Sequence, residues 1–167
     1  MRGRREGGTG RSIVVLASLV LLLLTGCENG STTGKTGLFF PTNDVEQGGA
    51  MMTALFRGPL VVVDRCVLVG EPGSYSLPVW WRGFIAEPDT SGRIVVRDAG
   101  GAVVAVEGEV FEMGGGYRAE FRPSDRVDPA EEQITGVEEW LGYEIPDRCL
   151  TPDVYGIWIV GETQPLS

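Results

Sequence analysis

The sequence predicts a mainly β fold, a small antiparallel barrel or sandwich with one short helix. Three observations lead to this prediction. Short Val-rich and aromatic runs recur from residue 60 onward, glycine-containing turns separate them, and the chain has no heptads or longer repeats. With 167 residues the chain can bury one ordinary core, and hardly two.

The composition excludes several classes of function. The chain contains no histidine, so it cannot build a Ser-His-Asp or Cys-His nucleophile or a His-ligated metal site. Its formal net charge is −9, whereas a surface that binds nucleic-acid phosphates must be basic. We therefore expect no nucleic-acid partner, no metal and no other cofactor.

The first residues are typical of an export signal. A head with four arginines precedes an uncharged run over residues 13–24, which is shorter than the ~20 apolar residues that span a bilayer. The run ends in Leu24-Thr25-Gly26-Cys27, where an aliphatic residue and two small residues precede a cysteine. This segment resembles the lipobox signal peptide of bacterial lipoproteins.

The lipobox resemblance implies that residues 1–26 are removed and that acyl chains on Cys27 anchor the protein to a membrane of the cell envelope. A plain signal peptide or short anchor with a coincidental cysteine is the alternative. Residues 27–37 are polar and rich in Gly, Ser and Thr, so we expect a flexible tether. Residues 38–59 carry scattered apolar side chains broken by Pro41 and Gly48-Gly49, which predicts an irregular lead-in.

A β domain is predicted over residues 60–163. The expected strands are residues 60–69 with an interruption at Asp64-Arg65, then 77–81, 93–97, 102–106, 109–113, 117–121 and 156–161. Asp98-Ala99-Gly100-Gly101 is a hairpin signal, and Gly114-Gly115-Gly116 is expected to end a strand. Because the turns are short, we expect neighbouring strands to pair as an antiparallel meander.

One helix is predicted between the last two strands. Asp128-Pro129-Ala130-Glu131 has the pattern of a capping box with proline at the first helical position. Gly136 is expected to divide the segment that follows.

Cys66 and Cys149 are the only cysteines besides Cys27. In an exported protein, such an even pair predicts a disulfide. A redox or nucleophilic thiol is the alternative, but the chain has no Cys-x-x-Cys motif and no histidine.

Several short motifs follow one another along the β domain. They are Leu60-Val61-Val62-Val63-Asp64-Arg65-Cys66-Val67, Leu77-Pro78-Val79-Trp80, Gly83-Phe84, Gly114-Gly115-Gly116, Pro146-Asp147-Arg148-Cys149 and Ile157-Trp158-Ile159-Val160-Gly161. Together they resemble a group of uncharacterised exported bacterial domains, which implies a disulfide-closed β domain. In that group a glycine precedes the first cysteine. Arg65 occupies this place here, so we expect a bulge rather than a left-handed turn.

Adjacent aromatic residues suggest a binding surface. Trp80 and Trp81 must face opposite sides of a strand, so one of them could lie exposed beside Arg82 and Phe84 and stack on a sugar or a peptide group. The alternative is that neighbouring elements cover both indole rings.

Acidic residues suggest a second class of function. Glu107, Glu109 and Glu112 lie on one candidate strand, and a carboxylate pair can hydrolyse glycosides. Any solvated acidic strand has the same spacing, so we assign no catalytic residue. We expect a lipid-anchored, extracytoplasmic binding or interaction module of the cell envelope, with an envelope protein or glycan as its partner. A small carboxylate-dependent hydrolase and a structural envelope component are the alternatives.

Overall fold

The computed structural model describes residues 37–44, 53–121 and 129–164. The predicted signal peptide and Cys27 lie outside these residues, and so does the predicted tether except for Gly37. Among the described residues, no helix is both long enough and apolar enough to cross a bilayer.

Strands dominate the described part of the chain. In chain order the elements are β1 (Ala54–Val63), β2 (Cys66–Val69), β3 (Tyr75–Val79), β4 (Ile85–Pro88), β5 (Ile94–Arg97), β6 (Val103–Val106), β7 (Val110–Glu120), α1 (Pro129–Leu141), a 3-10 helix (Asp147–Cys149) and β8 (Val154–Thr163). The predicted mainly β fold with one α-helix is confirmed. The sequence did not predict β4.

Five strands close a barrel in the order β1, β2, β3, β8, β7, and β4 to β6 form a separate three-stranded sheet. All neighbouring strands are antiparallel except β3 and β8, which run parallel with Leu77 opposite Ile157. The predicted antiparallel meander is therefore only partly right, because β3 pairs with β8 and not with β4, and β7 pairs with β1 and β8 and not with β6. A closed ring with an odd number of strands cannot alternate its direction all the way round, so one pair must be parallel.

The first strand begins at Ala54, inside the segment predicted to be irregular. Gly58 and Pro59 would weaken most strands. Gly58 is needed here because an added Cβ would lie 3.1 Å from the Cα of Gly70. Pro59 is tolerated because β2 ends at Val69, just short of the position opposite it.

A left-handed turn joins β1 to β2. Asp64 and Arg65 have φ values of 48° and 66°, and Val63 pairs with Cys66 across the turn. The predicted bulge is wrong because a two-residue hairpin connection of this kind needs positive φ at both central positions. The Phe39 N–H donates to the Arg65 carbonyl oxygen at 2.7 Å, which helps to hold the turn.

The last long hairpin departs from the prediction at its glycines. β7 continues through Gly114-Gly115-Gly116, so the predicted strand end is wrong. The register with β8 shifts between Met113 and Gly115 and again near Tyr117. Bulges of this kind bend a strand without ending it.

Helix α1 runs without interruption through Gly136, so the predicted division is wrong. Pro129 is its first residue, as predicted, whereas Asp128 lies outside the described residues. Val137 is buried in the core, and Ile134 and Leu141 pack against the same cluster. This apolar face holds the helix together despite the low helix propensity of glycine.

The barrel wall is packed on both faces. The cluster under α1 includes Leu68, Leu77, Val137, Ile145 and Ile157. The other cluster, which joins the barrel to the three-stranded sheet, includes Trp80, Phe84, Val96, Phe111 and Trp158.

Two connections form as predicted. The Asp98 carboxylate accepts hydrogen bonds from the N–H groups of Gly100 and Ala102, which closes the β5–β6 hairpin. Cys66 and Cys149 form a disulfide across 83 residues, and both are fully buried. The bridge joins the β1–β2 hairpin to the 3-10 helix that precedes β8.

Candidate binding cleft

The aromatic surface predicted from the sequence is not exposed. Trp80, Trp81 and Phe84 retain only 0%, 6% and 3% of their accessible surface. Arg82 alone is exposed, and it forms an ion pair with Asp44 at 3.2 Å. The predicted binding surface is therefore wrong, and the alternative, in which neighbouring elements cover both indole rings, holds.

The two indole rings are buried because β3 ends before them and the chain turns away. The segment before β1 crosses Trp80, so that Phe40 stacks on its ring with centroids 5.4 Å apart. The backbone N–H of Trp80 donates to the Pro41 carbonyl oxygen at 2.9 Å. Trp81 donates from Nε1 to the Gly161 carbonyl oxygen at 2.6 Å.

The barrel instead offers an open cleft between β1 and the β2–β3 turn, with a volume of about 590 Å³. Aromatic rings of Phe56, Tyr117 and Tyr155 line it, and Glu71 and Ser74 lie on its rim. Binding sites commonly combine apolar and aromatic walls with a few polar groups in this way. We call this depression the aromatic cleft.

Tyr117 lies at the centre of the aromatic cluster beneath the cleft. Its ring meets Tyr155 edge-on at 5.4 Å and Trp158 edge-on at 4.9 Å between centroids. Phe56 meets Trp158 in the same way at 5.3 Å. Edge-to-face contacts at these distances stabilise one arrangement of the rings, so the wall of the cleft is preorganised.

Glycines provide the space in which these rings lie. A Cβ at Gly156 would stand 3.0 Å from the Tyr117 ring and would overlap the Ala119 carbonyl oxygen. A Cβ at Gly115 would stand 2.6 Å from Nε1 of Trp158. The aromatic rings therefore cover strand backbone that carries no side chain of its own.

One buried polar contact orients the central ring. The hydroxyl groups of Tyr117 and Ser76 lie 2.9 Å apart, and Ser76 is fully buried. Burial raises the pKa of Tyr117, whereas the hydrogen bond with Ser76 acts in the opposite direction. The phenol therefore stays neutral at ordinary pH and can exchange hydrogen bonds without charge.

The candidate catalytic carboxylates all have structural partners. Glu107 accepts from the Ile94 N–H at 2.8 Å, Glu109 pairs with Arg93 at 2.9 Å, and Glu112 pairs with Arg57 at 3.5 Å. None of the three lines the aromatic cleft. Among the described residues, no group of three or more Cys, Asp or Glu side chains is placed to hold a metal ion.

The sequence carries a signal for the cleft in the glycines beside its aromatic residues. Gly114-Gly115-Gly116 stands directly before Tyr117, and Gly156 directly follows Tyr155. Glycine next to an aromatic residue in a strand can mark a place where a ring lies on a neighbouring backbone. Phe56 was missed because it was assigned to the irregular lead-in.

No protein-family model, curated protein or solved structure matches this chain. The geometry of the aromatic cleft is therefore the main guide to function.

Proposed function

We propose that the protein is a lipid-anchored binding module of the bacterial cell envelope whose ligand lies in the aromatic cleft. The observation that carries the proposal is the open cleft of about 590 Å³ over partly buried rings of Phe56, Tyr117 and Tyr155. Aromatic faces and edges at a water-accessible site contribute binding energy with little loss of side-chain entropy.

The anchor is proposed from the lipobox motif that ends at Cys27. The Cys66–Cys149 disulfide supports export, because such bonds persist in oxidising compartments outside the cytoplasm. Two or more acyl chains on one cysteine would anchor the protein far better than a single chain.

Binding is favoured over hydrolysis by the positions of the carboxylates. Glu107, Glu109 and Glu112 are engaged elsewhere, and Glu71 is the only carboxylate among the described residues that line the cleft. A purely structural envelope component would not need a preorganised aromatic wall open to solvent.

Lipid attachment is tested in cells with a Cys27→Ser variant and an alkyne-labelled fatty acid. The wild-type protein is expected to take up the label and to fractionate with membranes, and the variant to do neither. Ser31→Ala, just downstream, serves as the control and should behave as wild type. Labelling of Cys27→Ser would contradict the anchor.

Ligand binding is tested by placing a photo-cross-linking amino acid at Ser74 on the rim of the cleft. The control position is Thr90, which is exposed in the β4–β5 turn away from the cleft. A saturable adduct from position 74 but not from position 90 is expected in cells that make the full lipidated protein. The same adducts at both positions, or none at either, would contradict the proposed site.

A further inference from the structure

We infer that the aromatic cleft binds an extended, basic peptide segment of a partner protein, which adds as a strand to the free edge of β1. This inference rests on the proposed function, since it names the ligand of the same cleft.

Among the residues that the structure describes, nothing pairs with the edge of β1 that borders the cleft. β1 pairs with β7 from Ala54 to Pro59, but with β2 only from Leu60 to Val63. Within residues 37–44, 53–121 and 129–164, no strand pairs with residues 54–58 on the side opposite β7. The aromatic cleft opens at this gap in the barrel wall.

The hydrogen bonds near the gap show which backbone groups point into it. The Leu60 N–H donates towards β7, to the Glu109 carbonyl oxygen at 3.1 Å. The Pro59 carbonyl oxygen points the other way and accepts from the Gly70 N–H at 3.0 Å. Because backbone groups alternate in direction along a strand, the odd-numbered residues of β1 face the open edge.

Leu55 and Arg57 therefore present their N–H and C=O groups to the gap. Among the described residues, no strand forms hydrogen bonds with the N–H and C=O groups of these two residues on that side. Leu55 is 69% exposed, and the Arg57 side chain is 71% exposed. Pro59 is also odd-numbered, which agrees with this reading, because proline in strands is confined to edges where its missing N–H is not needed.

A strand added to this edge would place alternate side chains on opposite faces. One set would lie over Phe56, Tyr117 and Tyr155, and apolar side chains suit that surface. The other set would face solvent. Main-chain hydrogen bonds to the edge and pockets for alternate side chains are the two parts of peptide recognition by strand addition.

The charges around β1 favour a basic peptide. Glu71 lies on the rim of the cleft, whereas Glu112 and Glu162 line a second depression of about 260 Å³ beside Leu55, on the side of β1 that faces β7 and β8. Arg57 is the only cation among the described residues that line the two depressions, and Glu112 already pairs with it at 3.5 Å. The chain as a whole carries a net charge of −9. Lysine or arginine between apolar residues would therefore complement this edge.

The test uses the purified full-length protein and two labelled synthetic peptides, one alternating lysine with valine and the other alternating glutamate with valine. Fluorescence anisotropy is expected to detect binding of the lysine peptide, with the glutamate peptide weaker by about tenfold or more. Hydrogen exchange at the amides of Leu55 and Arg57 should slow when the lysine peptide is bound.

A matched pair of variants isolates the backbone contact. Arg57→Pro and Arg57→Ala both remove the charge, but only the first removes the N–H. Arg57→Ala should bind the lysine peptide at least as well as wild type, and Arg57→Pro should bind it about tenfold more weakly or worse. Leu55→Pro and Leu55→Ala form a second pair, and far-UV circular dichroism shows which variants keep the fold.

Three results of the peptide experiments would overturn the inference, and a fourth comes from comparison with the cross-linking experiment. The first is equal binding of the two peptides, and the second is equal binding by the proline and alanine variants. The third is a self-association of the protein that only the proline variants abolish, because the occupant of the edge would then be a second copy of this chain. A photo-cross-link from Ser74 without protection of the Leu55 and Arg57 amides would leave the proposed function standing and reject the added strand. The absence of any cross-link from Ser74 would instead count against the proposed function.

Discussion

The indole ring of Trp158 lies against the backbone of Gly115, where an added Cβ would stand 2.6 Å from Nε1 and would overlap the Ile159 carbonyl oxygen. Gly115 also has a φ of 143°, which other residues rarely adopt. Because Trp158 in turn contacts Phe56 and Tyr117, this one glycine positions much of the aromatic wall.

Replacing Gly115 with alanine is expected to lower the free energy of unfolding by about 3 kcal/mol or more, since it combines backbone strain with overpacking. Gly114→Ala is the matched control, because its Cβ would have no neighbour closer than 3.4 Å. Urea denaturation followed by tryptophan fluorescence measures both. Equal stability of the two variants would show that Trp158 is not held in this way.

Replacing Gly136 in α1 with alanine should stabilise the protein, in contrast to the same change at Gly115. Gly136 is exposed, and a Cβ there would meet nothing within 4 Å. Gly136→Ala is therefore expected to raise the free energy of unfolding by about 0.5–1 kcal/mol. Gly142→Ala, just after the helix, is the contrast, because Gly142 has a φ of 78° and should lose stability. Thermal unfolding that shifts the same way in both variants would contradict this account.

Local patterns predicted the local parts of the fold. The Asp98 hairpin and the Pro129 helix start depend on residues that are neighbours in the chain, and both form. The disulfide was predictable because Cys66 and Cys149 are the only cysteines besides Cys27, and such a pair in a chain with a predicted export signal has few alternatives.

The parts that failed depend on distant residues. The parallel contact of β3 with β8 follows from closure of the ring, which no local pattern reveals. Alternation along a strand suggested that one of Trp80 and Trp81 could be exposed, yet Phe40 covers the first and Gly161 accepts a hydrogen bond from the second. The aromatic cleft was missed for the same reason, because Phe56, Tyr117 and Tyr155 are far apart in sequence.

The disulfide should be the largest single covalent contribution to stability. Its loop of 83 residues corresponds to about 4.5 kcal/mol in the chain-entropy model. Replacing both Cys66 and Cys149 with alanine is therefore expected to lower the free energy of unfolding by about 2–5 kcal/mol. The measurement is denaturant unfolding with and without reductant, in a Cys27→Ser background.

Arg148→Ala is the control for the disulfide variant. Arg148 donates from Nε to the Asp64 carbonyl oxygen at 3.2 Å, close to the bridge but without a covalent bond. Its loss should cost about 1 kcal/mol or less. Free thiols from Cys66 or Cys149 in the unfolded, unreduced protein would contradict the bridge itself.

Tyr143 should make stability depend on alkaline pH. Its hydroxyl donates to the Thr42 carbonyl oxygen at 2.9 Å and so ties the loop after α1 to the segment before β1. Burial raises the pKa of Tyr143 to about 12, whereas an unfolded tyrosine ionises near pH 10. The folded state therefore keeps the proton to higher pH than the unfolded state does.

The contribution of Tyr143 is thus fully present below about pH 10 and is lost as the pH rises towards about 12. The free energy of unfolding should fall between about pH 10 and about pH 12, and Tyr143→Phe should reduce that fall. Some dependence should remain in the variant, because burial raises the pKa of Tyr117 as well. If Tyr143→Phe lost stability with pH as steeply as wild type does, the hydroxyl of Tyr143 would not be the group that titrates.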